Sequence, residues 1–201
     1  MTKPELIIFD LGRVLVDFDF RKVVRRLKRY TKLSEKEIRA YFYQTPLWDT
    51  FERGDVEPKE FFLQIAKELK LQKLTFKEFA PIWNTIFTEK HDTVSILSRL
   101  RGQYRIALLS NVNILHWEHV GETHDFIQWF DHPIASCNVG CRKPEADIYR
   151  LTLQCAGVSP QQAVFIDDVE AHILAARSLG IRAHQFINAQ QLIRDLDGIL
   201  E

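Results

Sequence analysis

Cysteine is scarce in this chain, with three in 201 residues, at Cys137, Cys141 and Cys155. An odd, low count supplies no disulfide framework and points to free thiols in a reducing compartment. Cys137 and Cys141 with His132 match no common zinc spacing and have no evident fourth ligand, so a zinc site is not expected. Charge of one sign is not in excess either, since 27 Lys and Arg balance 27 Asp and Glu. Nucleic-acid and membrane-surface roles usually need a basic excess, so neither partner is expected. No apolar run approaches the ~20 residues of a membrane span. No cleavable apolar segment precedes the first strand, which makes the cytoplasm the default expectation. Internal repeats, low-complexity segments and Pro/Gly-rich linkers are also missing.

What is present suits a folded domain. Apolar residues make up 46% of the chain, enough for a real core. The length fits one medium domain, or a core carrying a smaller insertion. Residues 6–9, Leu-Ile-Ile-Phe, form a tight apolar run that ends abruptly in Asp10, with Gly12 two positions on. Such a continuous run reads as a parallel strand buried on both faces. Residues 105–110 repeat the device and end in Ser110; residues 163–168 repeat it and end in Asp167 and Asp168. Shorter strands are expected at 133–137 and 182–187, with an aromatic segment at 126–130. Helices are expected at 92–101, 115–120, 145–156 behind Pro144, 171–179 before Gly180, and 189–200; Ser159 signals one more helix start. Strands alternating with helices predict an α/β fold, a parallel sheet with helices on both faces.

Between the first strand and this alternation lies a different pattern. Residues 21–30 form a basic helix whose charges read as a solvated face. A capping box at Ser34 and Glu37 starts a helix to residue 43, and another covers 47–53 before Gly54. Pro58 opens an amphipathic helix to residue 71, with Phe61, Phe62, Ile65 and Leu69 on its stripe. Residues 75–87 carry Phe76, Phe79, Trp83 and Phe87 at helical spacing, kinked or split at Pro81. Residues 20–88 thus predict a compact, all-helical insertion without strands.

If the strands are parallel, Asp10, Ser110, Asp167 and Asp168 share one edge of the sheet, where chemistry sits in open α/β folds. Lys143 lies on a loop between the last two strand ends. Each residue alone has an ordinary reading as a turn, a helix cap or a surface lysine. Three clustered carboxylates, however, repel unless a cation neutralises them, and Mg²⁺ prefers such oxygen ligands. Lys143 and Ser110 beside a metal suit a phosphoryl group.

The stretches Phe-Asp-Leu-Gly-Arg-Val-Leu at 9–15, Leu-Leu-Ser-Asn at 108–111, Arg-Lys-Pro-Glu at 142–145 and Phe-Ile-Asp-Asp at 165–168 carry a resemblance. They resemble the four motifs of the haloacid dehalogenase-like (HAD) hydrolase superfamily. With Val-Asp-Phe-Asp at 16–19 and Phe-Glu-Arg-Gly-Asp at 51–55, the chain is similar to the bacterial glucose-1-phosphate phosphatase-like sugar-phosphate phosphatases. The resemblance implies a three-layer Rossmann-like core at 1–17 and 89–201 and a C1-type helical cap at 18–88. It implies a Mg²⁺-dependent phosphatase acting on a small phosphorylated metabolite, a sugar phosphate by subfamily, as a monomer or weak dimer. Asp10 would be the nucleophile, giving an aspartyl-phosphate. Mg²⁺ would be bound by Asp10, the backbone carbonyl of Gly12 and Asp168, with Asp167 ligating or orienting from behind. Ser110 and the backbone around Asn111 would hold phosphate oxygens, and Lys143 would pair with both Asp10 and the phosphate.

Two departures matter. Most phosphatases of the superfamily have a second Asp, the general acid/base, where this chain has Gly12. Either activity is biased toward better leaving groups, or Asp17, Asp19 or Glu52 substitutes. The places where lookalikes often carry Asn hold Val169 and His172; His172 is read as a surface or capping histidine, or as a new hydrogen-bond partner. Substrate choice is expected from a wall of Phe18, Trp48, Phe51 and Glu52, although Trp48 and Phe51 also fit the cap core. The competing functions are a metal-free 2-haloacid dehalogenase, which should not need the Asp167–Asp168 pair, and a catalytically weak or dead scaffold with a binding or regulatory role.

Overall fold

The computed structural model describes residues 3–200, with side chains to residue 198. Met1, Thr2 and Glu201, which the sequence assigns to the core, lie outside the described residues. The strands are β1 (Leu6–Phe9), β2 (Val16–Phe18), β3 (Phe87–Glu89), β4 (Arg105–Ser110), β5 (His132–Ala135), β6 (Ala163–Asp167) and β7 (Arg182–Gln185). Five of them form one sheet in the order β5-β4-β1-β6-β7, with every neighbouring pair parallel. Alternate side chains go to opposite faces, as strand geometry requires. Ile7, Phe9, Ile106, Leu108, Val164 and Ile166 meet the helices α6 (His91–Leu100) and α11 (Ala189–Leu200). Leu6, Ile8, Ala107, Leu109 and Phe165 meet α9 (Ala146–Ala156) and α10 (Glu170–Ser178). The three layers follow from strands that are apolar at every position.

The inserted helices are α1 (Arg21–Leu27), α2 (Glu35–Gln44), α3 (Leu47–Arg53), α4 (Pro58–Glu68) and α5 (Phe76–Asn84). The expected box at Ser34 and Glu37 caps α2, and a second, at Thr75 and Glu78, caps α5. Their apolar stripes converge on Trp83, which is fully buried among Phe42, Phe61 and Phe79. Pro81 lies within α5, which runs as one helix from Phe76 to Asn84 rather than splitting.

The insertion is not strand-free. Phe87–Glu89 is β3, antiparallel to β2, with Phe18 opposite Phe87. The Phe79, Trp83, Phe87 spacing imitates a helix, but the partner of Phe87 is Phe18, far back in the sequence. Non-local pairing overrides local periodicity here. Two smaller differences have local causes. After β5 the chain turns at once into α8 (Ser136–Val139), which Gly140 ends at φ 71°. The Ser159 signal is a real capping box, but it caps a single 3₁₀ turn, Pro160–Gln162, before β6.

Several contacts seat the cap on the core. Leu115 of α7 (Ile114–Thr123) is buried in the cap's aromatic cluster. The C-terminus of α3 abuts α8: Gly54 adopts φ 80°, and a Cβ there would run into the Cys137 carbonyl oxygen. Gly54→Ala adds left-handed strain to that overlap and is expected to destabilise the fold by about 2–3 kcal/mol. A urea midpoint equal to that of the parent would refute this.

Candidate active site

β1 lies between β4 and β6, so the crevice where connections diverge opens beyond its carboxyl end. The Asp10 N–H donates to the Ile166 carbonyl at 2.9 Å, continuing the ladder past β1 and setting Asp10 beside Asp167. Lys143 is 1% exposed, and its ammonium donates at 2.6 Å to Asp10 Oδ1 and at 2.6 Å to Asp167 Oδ2. The Asn111 side chain clamps the Lys143 backbone from both sides, accepting from its N–H at 2.8 Å and donating to its carbonyl at 2.9 Å. Asn111 therefore positions the lysine, a role its place in the sequence did not announce.

Asp167 is fully engaged. It accepts from Lys143, from the Val169 N–H at 2.8 Å, and faces His172 Nδ1 at 3.0 Å from both oxygens. His172 is thus a hydrogen-bond partner of the site rather than a surface residue, and its carbonyl accepts from Tyr149. Asp168 stays half-buried, with Arg13 3.9 Å away. Burial pushes Asp10 up to about 7 against the pull of Lys143. Burial also raises Asp168, helped by Asp167. Burial would raise Asp167 too, but Lys143 and His172 outweigh it and hold it down at about 2. Burial opposes the charge on Lys143, yet the two carboxylates keep its pKa above the usual value.

The donor set fits a hard divalent cation. Carboxylate oxygens of Asp10, Asp167 and Asp168 lie within 4.8 Å of one another, the one such His/Cys/Asp/Glu group among the described residues. Three carboxylates against one ammonium leave two negative charges when all are ionised, which a divalent ion balances. Because the oxygens of Asp167 are occupied, Asp10 and Asp168 are the ones left to ligate. Cys137, Cys141 and Cys155 are free thiols.

A cavity of about 490 Å³ lies between the cap and this sheet edge, with Gly12, Ser110 and Asn111 at its inner end. Trp48, Glu52 and Phe18 line it, and Trp48 also packs against the cap cluster. Phe51 does not; it is 1% exposed and stacks on Phe61 at 3.8 Å, so it belongs to the cap core. Of the three substitute acids, only Glu52 lines the cavity. Asp17 is exposed and pairs with Lys90, and Asp19 is held low by its hydrogen bond to Arg21. Glu52 Oε1 accepts from Trp48 Nε1 at 2.7 Å, and Oε2 lies 2.8 Å from Arg142 in an ion pair that is off hydrogen-bond alignment. Arg142 also pairs with Asp49, and Arg53 with Glu145, so ion pairs lace α3 to the Lys143 loop. Arg142 escaped the sequence reading, although it directly precedes Lys143.

Behind the cavity, His116 joins core to cap. Its Nε2 faces the Trp83 carbonyl at 3.1 Å and its Nδ1 faces the Asn113 amide at 2.9 Å. The Nε2–H tautomer satisfies both contacts. Burial lowers its pKa to about 3. Its contribution to stability is therefore present above the unfolded pKa of ~6.5 and is lost as pH falls toward 3. Between pH 6.5 and 4.5 this site alone is expected to cost about 2–3 kcal/mol. Urea titrations of the parent and His116→Gln would show a shallower acid slope in the variant; parallel slopes would refute the assignment.

Known proteins resemble this chain in sequence and fold. The family model for haloacid dehalogenase-like hydrolases matches residues 4–180. A D-ribitol-5-phosphate phosphatase of Bacteroides thetaiotaomicron is 28% identical, over 96% of this chain and 97% of its own. A sesquiterpene phosphatase of Aspergillus oryzae is 27% identical, over 87% and 85%. The crystal structure of a HAD family enzyme from Bacteroides thetaiotaomicron, in complex with magnesium and inorganic phosphate, is 25% identical. It superposes with a TM-score of 0.81 over 90% of this chain and 93% of that one. An L-2-haloacid dehalogenase from Xanthobacter autotrophicus shares the fold at 19% identity and a TM-score of 0.66. With a buried lysine bridging two strand-end aspartates, a third aspartate beside them and a family match across most of its length, this chain belongs to the haloacid dehalogenase-like hydrolases.

Proposed function

We propose that the protein is a Mg²⁺-dependent phosphatase of a small phosphorylated metabolite, working through an aspartyl-phosphate. The observation that carries this reading is Lys143, buried and shared between Asp10 and Asp167 at 2.6 Å each, at the sheet edge whose neighbours Gly12, Ser110 and Asn111 line the cavity. Asp10, Asp168 and the Gly12 carbonyl would hold the metal, with Asp167 orienting Lys143 from behind. When bound, Mg²⁺ supplies positive charge for the carboxylates and for phosphoryl oxygens. Ser110 Oγ has no partner among the described residues and lines the cavity, free to donate to the phosphate. The Asp10 carboxylate attacks phosphorus, the ester P–O bond breaks, and the leaving oxygen departs with that bond's electron pair and takes its proton from water. Lys143 spreads the developing charge. Water then attacks the acyl phosphate, releasing phosphate and restoring Asp10.

Gly12 offers no acid at the usual place, and Glu52 is tied to Trp48 and Arg142. Turnover is therefore expected to favour esters with good leaving groups. Purified protein with p-nitrophenyl phosphate should release phosphate only when Mg²⁺ is present. Absence of turnover under both conditions would favour a binding scaffold, and chloride release from 2-chloropropionate without metal would favour a dehalogenase. The resemblance in sequence and the D-ribitol-5-phosphate phosphatase support a sugar or sugar-alcohol phosphate as substrate. The sesquiterpene phosphatase, nearly as similar, supports an apolar ester.

A further inference from the structure

Resting on the phosphatase reading, we propose that the alcohol half of the substrate is apolar, an aliphatic or aromatic body rather than a polyhydroxylated chain. The walls of the cavity beyond Ser110 and Asn111 are built from Phe18, Phe20, Phe42, Trp48, Ile86 and Phe87. A polar ligand would need free partners, and most polar groups in the inner part of the cavity are already committed. Both ring nitrogens of His116 are bonded. The Asn111 amide is used at both ends on the Lys143 backbone. The Trp48 N–H goes to Glu52, whose other oxygen pairs with Arg142. The Thr45 hydroxyl accepts from the Leu47 N–H at 3.2 Å. The polar groups left over are Ser110 Oγ at the phosphate end, Glu52 Oε2, which faces Arg142 without a hydrogen bond, and Asp49 and the Tyr43 hydroxyl on exposed side chains.

A second observation concerns Gly12. A Cβ at that position would come within 3.2 Å of Phe18 Cε1. The phenyl ring thus closes the space beside Asp10 that a side chain at position 12 would enter. Phe18 is 43% exposed and Tyr43 is 79% exposed at the same cavity, two aromatic rings left open to a ligand. A sugar hydroxyl entering here loses its water without gaining a partner, whereas each methylene leaves water for an aromatic wall.

The test compares n-octyl phosphate with D-ribitol 5-phosphate on the Mg²⁺-loaded full chain. Both are monoesters of primary alcohols, so their leaving groups are similar and the bodies differ. The expected result is a kcat/KM at least about tenfold higher for octyl phosphate. Phe18→Ser should shrink that ratio several-fold. A ratio near one, or one favouring the ribitol ester, overturns the inference while leaving the phosphatase reading intact. Calorimetric binding of the same two esters to the Asp10→Asn variant with Mg²⁺ reads the preference without turnover. If neither ester is hydrolysed by the parent while p-nitrophenyl phosphate is, the phosphatase reading stands on the better leaving group; if p-nitrophenyl phosphate is inert as well, that reading fails. Tighter binding of octyl phosphate would then still uphold the apolar preference, and equal binding would overturn it.

Discussion

Replacing Asp10 by Asn is expected to reduce p-nitrophenyl phosphate turnover by roughly 10⁴-fold or more while leaving the chain folded. An amide has no anionic oxygen to attack phosphorus, and no other carboxylate in the cluster is free to take over. Asp167 is bound by Lys143, Val169 and His172, and Asp168 sits on the side of Arg13. Stability should move by no more than about 1 kcal/mol, because the variant loses the bond to Lys143 but also the cost of burying a charge. Steady-state assay beside urea denaturation checks both halves. Residual activity within tenfold of the parent would point to a contaminating phosphatase or to a different nucleophile.

Lys143→Met is expected to act on stability as well as on rate. Lys143 is the cation bonded to both Asp10 and Asp167, and its loss leaves two buried carboxylates without a counterion. Breaking such a pair typically costs about 3–5 kcal/mol, and losing a charge-stabilising donor costs roughly 10²–10³-fold in kcat. In the presence of a chelator the variant should therefore unfold at markedly lower urea than the parent. Adding Mg²⁺ should recover part of the loss, since a ligand bound by the folded state alone stabilises it. A variant midpoint that does not move with Mg²⁺ would count against Asp10 and Asp168 as metal ligands.

Much of this site is readable along the chain because its parts are strand ends. Three apolar runs stop at Asp10, Ser110 and Asp167, and strands that pair in parallel must bring equivalent ends together. The cap helices were equally legible where caps and stripes agree, as at Ser34 and Pro58. Legibility failed where partners are remote. β3 looked helical because Phe87 continues the spacing of Phe79 and Trp83, and only β2 makes it a strand. Phe51 and Trp48 were indistinguishable as wall or core; the ring stacking of Phe51 on Phe61 separates them. His172 could not be told from a capping histidine until Asp167 stood 3.0 Å away.

By itself, then, the sequence determined the class of fold, the strand-end cluster of carboxylates with its lysine, and the absence of an acid at Gly12. These are properties of residue type at positions that backbone geometry alone aligns. Tertiary structure decided which polar groups remain free. Asn111 is consumed in holding Lys143, Glu52 in holding Trp48 and Arg142, and His116 in joining the cap to the core. A side chain's type states what it can bond, but only its neighbours in space, brought together by burial and pairing across the chain, show which bonds are already made.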